Sequence, residues 1–247
     1  MKKTALYIFL VLLFFSCKKQ ERVQVIATSS WTAAYVRAAG IADVYVLAPA
    51  EMQHPTEYEL NIDDVDKIRN AELIVCGGYE VMMERIRQGL KIDPERILEI
   101  KTDYDMEHIR SSVRAIAAEL GTGEVAEKNI REIEHTFSKS AEQIREAGLD
   151  QDPVLVQFFL RPLASELGMN VTAVFGPRPL EAFDIRDLMT LDFSLVLDNA
   201  HNPVSAPLVE SGEGIKVVYL INFPGVGGTE SISDVIRYNT AMILEAH

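Results

Sequence analysis

Ser194-Leu195-Val196-Leu197-Asp198-Asn199-Ala200-His201-Asn202-Pro203 is the stretch that decides how this chain folds. Its first four residues read as a buried strand, and they run straight into a carboxylate, an amide, an imidazole and a second amide. In open α/β sheets, ligands gather outside the carboxyl ends of the strands, so a strand that ends in ligand-capable side chains marks a binding site. The same residues also suit a plain Asx-type turn leading into a helix, and the stretch alone leaves both readings open.

On either side of this stretch, strands alternate with helices. Apolar runs at 154–157, 171–175 and 216–221 read as strands, with helices over 160–167, 180–190, 204–210 and 231–246. The N-terminal part repeats the pattern: strands over 23–28, 43–48, 73–76 and 96–100, and helices over 31–39, 63–70 and 79–89. Such alternation predicts parallel sheets covered by helices on both faces. The middle differs. Ile109, Val113, Ile116, Ala117 and Leu120 share one helical face, and a second helix over 124–147 carries Ile130, Ile133, Phe137, Ala141 and Ile144 on one stripe. With no glycine or proline before Gly148, it would be on the order of 35 Å long, enough to join two lobes. The expected fold class is therefore α/β: two doubly wound β/α lobes, residues 22–104 and 149–247, bridged over 105–148 by helices that include a long rigid one.

The N-terminus is specific in another way. Met1-Lys2-Lys3 is a basic leader and residues 5–15 form an apolar run too short to span a bilayer. Ser16-Cys17 closes it before the polar Lys18-Lys19-Gln20-Glu21-Arg22. This resembles a bacterial lipoprotein signal (residues 1–16) with a lipid-bearing Cys17 and a tether over 17–21. It implies an extracytoplasmic, membrane-anchored protein in the periplasm or on the cell surface. Phe14 and Phe15 depart from the usual lipobox residues. The other cysteine, Cys76, follows Leu73-Ile74-Val75 and reads as a small core residue.

The net charge is −13 over 247 residues, and −15 once residues 1–16 are removed; it argues against nucleic acid, whose phosphates demand clustered Lys and Arg. Hydrophobic content of 48% with 25% charged residues belongs to a folded chain. An enzymatic reading would start from the glycine-rich turn Phe223-Pro224-Gly225-Val226-Gly227-Gly228-Thr229, but Glu230 occupies the third fingerprint position and no P-loop lysine follows. No G-x-S-x-G elbow is present either, and the chain is read as a non-enzyme.

Polar side chains collect after the predicted strands: Gln157, Asp198 through His201, and Asn222, with His54 in a loop of the first half. A cleft between two lobes would set His54 opposite the other three. Imidazole nitrogen beside carboxylate or amide oxygen suits zinc and also manganese.

These features, in order, resemble the zinc- and manganese-binding solute-binding lipoproteins of ABC importers, whose two β/α lobes are joined by one rigid helix. The residues carrying the likeness are Ser16-Cys17, His54-Pro55-Thr56-Glu57-Tyr58-Glu59-Leu60, Asp64, Gly78-Tyr79-Glu80, Val156-Gln157-Phe158-Phe159, Phe175-Gly176-Pro177, the 198–203 stretch, Leu220-Ile221-Asn222-Phe223-Pro224-Gly225 and Arg237-Tyr238-Asn239. The resemblance implies a monomer that captures a divalent transition metal between its lobes, zinc or alternatively manganese, and delivers it to an ABC-type permease. That family binds metal through three histidines and one acidic residue. Here the first histidine matches His54, the second falls near residues 101–103 where none exists, the third on Gln157 and the acidic ligand on Asn222. His201 beside Asp198 is the expected substitute, and Glu80 a further candidate. Asp198, Gln157 and Asn222 are expected as oxygen donors or as partners that support the ligands. His108, His135 and His247 are excluded as solvated or terminal. The alternative is a surface lipoprotein of the same fold that has lost metal and serves in adhesion or as an accessory chaperone.

Overall fold

The structure is a computed structural model, and it describes residues 25–50, 52 and 54–246. The lipoprotein signal and Cys17 lie outside the described residues, as does His247. Among the described residues no helix is long and apolar enough to cross a membrane.

The first lobe contains β1 (Val25–Ala27), α1 (Ser30–Ala38), β2 (Val44–Val46), α2 (Ile62–Asn70), β3 (Leu73–Cys76), α3 (Met82–Glu84) and β4 (Ile97–Glu99). Two helices follow, α4 (Met106–Leu120) and α5 (Gly123–Glu146). The second lobe holds β5 (Pro153–Gln157), α6 (Arg161–Glu166), β6 (Asn170–Phe175), α7 (Ala182–Leu188), β7 (Leu195–Asn199), α8 (Ala206–Ser211), β8 (Val217–Leu220) and α9 (Ile232–Glu245). The sheets run in the orders β2-β1-β3-β4 and β6-β5-β7-β8, and all of their strand pairings among the described residues are parallel. Two four-stranded doubly wound lobes were expected, and two are found.

Period-two alternation explains how each sheet is covered twice. Val25, Leu73 and Val75 face the core shared with α1, α4 and α5, whereas Ile26, Ile74 and Cys76 face a second core with Ile68, Met82, Met83 and Ile86. In the second lobe Val154, Val156 and Leu197 join the shared core, and Leu155 and Val196 pack with Phe175, Leu188 and Leu208. Cys76 is fully buried, and burial pushes its thiol up to about 12, so it is the inert core residue its neighbours suggested.

α5 has 24 residues, about 36 Å at 1.5 Å per residue. Its start is tied to the end of α1, where Thr122 Oγ1 donates to Ala39 O and Asn129 Nδ2 donates to Ala38 O at 3.0 Å. Those side chains satisfy carbonyls that the helix end leaves free. Further along, Ile133, Phe137 and Ile144 pack with Val235, Ile236 and Ile243 of α9 in the same core. The bridging helix thus belongs to both lobes.

One local expectation is revised. Residues 79–89 are not one regular helix: the short α3 gives way to a π-helical turn, Arg85–Gly89, closed by Leu90 N–H on Arg85 O at 3.2 Å. Met82, Met83 and Ile86 all reach the second core across this irregular segment.

Candidate functional site

The topological switch points lie between β1 and β3 and between β5 and β7, and both open at the strands' carboxyl ends. There the loops after β1, β2, β3, β4, β5, β7 and β8 enclose a cleft of about 920 Å³. His54, Glu80, His201 and Asn222 line it; Asp198 and Gln157 do not.

His201 is set by three neighbours. Asn199 Oδ1 accepts from the His201 backbone N–H at 3.0 Å, an Asx turn that lifts the ring off the strand. Phe223 stacks on the imidazole with centroids 3.7 Å apart and planes 12° from parallel. The Asn222 backbone N–H donates to His201 Nδ1 at 3.2 Å. Burial, and then the neighbouring His54, push the imidazole's pKa down to about 4, so the ring is neutral at ordinary pH. A neutral imidazole whose Nδ1 accepts a hydrogen bond carries its proton on Nε2. His201 therefore enters the cleft as a donor. Taking a metal on Nε2 would require moving that proton to Nδ1, against the Asn222 N–H.

Asp198 is fully buried and spends both oxygens on backbone: Oδ1 accepts from Asn199 N–H at 2.8 Å, and Oδ2 from Val204 N–H at 2.9 Å and Ser205 N–H at 2.8 Å. It closes the 199–205 loop, so it supports His201 and is no oxygen donor to the cleft. Gln157 is equally buried; its Oε1 accepts from Phe159 N–H at 2.7 Å, capping the turn Phe158–Leu160. Its unpartnered Nε2 is itself a donor, the wrong polarity for a cation. The carboxylate and the amide thus act as loop anchors.

Glu80 and Asn222 are different. Glu80 Oε1 accepts from Thr28 Oγ1 at 2.5 Å and from Gly77 N–H at 2.8 Å, while its Oε2 is buried without a partner. Asn222 Oδ1 is likewise buried and unpartnered. Both are oxygen acceptors in the cleft wall. His54 precedes the turn Pro55–Glu57 and is exposed; its backbone oxygen accepts from Glu57 N–H at 3.0 Å, and its imidazole makes no hydrogen bond among the described residues. Among the described residues, no three His, Cys, Asp or Glu side chains stand close enough to hold an ion together.

His108 is more engaged than expected. Its Nδ1 lies 2.7 Å from Asp103 Oδ2 and its Nε2 3.2 Å from Lys101 Nζ, which fixes the loop after β4 at the cleft edge. His135 lines a separate hollow between α5 and α9. Sequence reasoning missed the cleft's aromatic content. Trp31 stacks on Tyr104 (6.0 Å) and meets Phe223 (6.1 Å), forming a ladder with His201 across the lobes. Tyr79 (51% exposed), Phe158 (51%) and Phe159 (40%) stand at its rim. Phe158-Phe159 after a strand was visible as a signal, since apolar rings outside a strand end rarely belong to the core.

No protein-family model and no curated protein matches the chain. Solved structures do. The solute-binding protein FpvC of Pseudomonas aeruginosa in complex with Ni2+ has a TM-score of 0.70 at 18% identity, covering 92% of this chain and 97% of that one. The laminin-binding protein Lbp of Streptococcus pyogenes has a TM-score of 0.68 at 15% identity, covering 90% and 98%. The metal-dependent lipoprotein YcdH of Bacillus subtilis has a TM-score of 0.63 at 15% identity, covering 91% and 98%. Identities this low speak for architecture alone, and the architecture agrees over almost the whole of both chains: this protein has the fold of the periplasmic metal-binding solute-binding proteins.

Proposed function

We propose that the protein is an extracytoplasmic solute-binding protein that captures a divalent transition metal in its inter-lobe cleft and hands it to an ABC-type permease. Cys17 would carry the lipid anchor and the protein would act as a monomer. The observation that carries this reading is that His54 and His201, from opposite lobes, line one cleft. Two buried acceptors without partners, Glu80 Oε2 and Asn222 Oδ1, add oxygen to the same wall. Nitrogen with oxygen suits zinc, with manganese as the alternative. Capture needs no covalent chemistry: His54 offers a free imidazole, and the oxygens take up positive charge.

A second reading is favoured by the lack of any three-residue ligand group among the described residues: a surface lipoprotein of this fold that no longer binds metal. Calorimetric titration of the purified protein with zinc and with manganese separates them. Metal capture predicts one site, weakened at least tenfold (about 1.4 kcal/mol) in His54→Ala and unchanged in His135→Ala. No heat from either ion with the wild type would favour the metal-free lipoprotein.

A further inference from the structure

We infer, resting on the metal-capture reading, that the ion enters this cleft as a chelate with a small carboxylate-bearing aromatic molecule and not as a bare ion. A zinc ion needs only donors about 2.0–2.2 Å away, whereas about 920 Å³ is the size of a cleft for an organic ligand. The protein does not close the coordination shell either, since no three acidic, histidine or cysteine side chains converge among the described residues. The open positions need ligands that come with the ion.

The unpaired groups say what those ligands carry. His201 offers Nε2–H, because its Nδ1 is taken by the Asn222 N–H. Trp31 lines the cleft at 8% exposure with its Nε1–H unpartnered. The guanidinium of Arg161, at the first position of α6, has no ion-pair or hydrogen-bond partner among the described residues. All three are donors that can receive a carboxylate, and of the acidic side chains on the lining Glu99 is already paired with Arg87 at 2.9 Å and Asp103 with His108 at 2.7 Å. The guanidinium fork matches a carboxylate in two parallel hydrogen bonds. The other basic side chain of the lining, Lys101, is shared with His108, which leaves Arg161 as the unpaired guanidinium there among the described residues. The orphaned oxygens of Glu80 and Asn222 have the opposite polarity, which is what the metal end of a chelate requires. Tyr79 from the first lobe and Phe158 and Phe159 from the second present ring faces and edges at the rim, and a flat unsaturated ring is the body that such walls hold.

The test uses zinc chloride, pyridine-2-carboxylate (picolinate), and the preformed zinc–picolinate complex, each titrated into wild type, Arg161→Gln and Trp31→Phe, with melting temperatures to verify folding. The expected result is that the complex binds at least tenfold tighter than free zinc. Arg161→Gln should lose most of that preference while its affinity for free zinc stays the same. Trp31→Phe, which keeps a ring and removes the N–H, should act in the same direction. Equal affinity for free and chelated zinc, or an unchanged preference in a folded Arg161→Gln, overturns the chelate and leaves metal capture standing. Picolinate alone binding as tightly as its zinc complex makes the anion the cargo and overturns both. Failure of zinc to bind in either form overturns the reading on which the chelate rests.

Discussion

Asp198→Asn is the perturbation that best separates a loop anchor from a metal ligand. The carboxylate is fully buried and accepts three backbone N–H groups at 2.8–2.9 Å. An asparagine has the same outline but only one acceptor oxygen. If that oxygen keeps Val204 and Ser205, the new amide faces the Asn199 N–H donor to donor; the other orientation orphans two N–H groups. A hydrogen bond to a charged group contributes about 1.5–3 kcal/mol, and a buried unsatisfied donor costs about 1–3 kcal/mol. One lost bond, one orphan and two weakened bonds give about 3–5 kcal/mol. Against the usual total of about 5–15 kcal/mol, this is a large fraction. Urea unfolding followed by the fluorescence of Trp31, the chain's one tryptophan, reads the loss as a shift in midpoint at constant slope. The exposed Asp192→Asn is the control and should stay within about 0.5 kcal/mol. A loss below about 1 kcal/mol, with metal affinity abolished, would refute the anchor and return Asp198 to the ion.

Two further predictions concern the cleft's immediate frame. An imidazole pushed down to about 4 resists, in the folded state, a proton that the unfolded chain accepts near 6.5, so stability should fall as pH drops from 6.5 towards 4 and level off below. His201→Gln should flatten the melting-temperature profile in that window, and an unchanged slope would deny the buried neutral ring. Gly225 has φ +134° and an added Cβ would sit 2.6 Å from the backbone oxygen of Ala50 in the other lobe. Gly225→Ala should cost about 2 kcal/mol or more by denaturant midpoint, and a neutral effect would mean the lobes do not touch there.

Legibility divides by the kind of physics. The strands were legible because period-two alternation and unbroken apolar runs are one-dimensional signals: 195–197 and 73–76 lie where their residues say. α5 was legible because no breaker interrupts its stripe. The convergence of His54 and His201 was legible from topology, since strand ends of two lobes must face one cleft. Which way Asp198 turns was not, because its three donors come from backbone one, six and seven positions on, around a loop that no pattern encodes. The His201 tautomer was also hidden: it depends on a backbone N–H that β8 delivers from 21 residues away. Asn239 was visible only as part of a motif; its buried amide pairs both ways with Ile221, Oδ1 accepting at 2.9 Å and Nδ2 donating at 2.8 Å, which holds the end of β8 and so the position of Asn222.

The cleft's width follows from the same contacts. Ser30 Oγ donates to Pro224 O at 2.6 Å, Trp31 lies against Phe223, and Gly225 meets Ala50, so the first lobe is seamed to the second at the cleft floor. Behind the seam, one continuous core takes in Val75, Ile116, Phe137, Val156 and Ile236, drawing side chains from both lobes and both bridging helices. Swinging the lobes apart would expose that core at roughly 25 cal/mol for each Å² of apolar surface, a cost that rises far above thermal energy within a few side chains. The cleft is therefore preformed at the floor, and its more exposed side chains, His54, Tyr79, Phe158 and Phe159, stand at the rim.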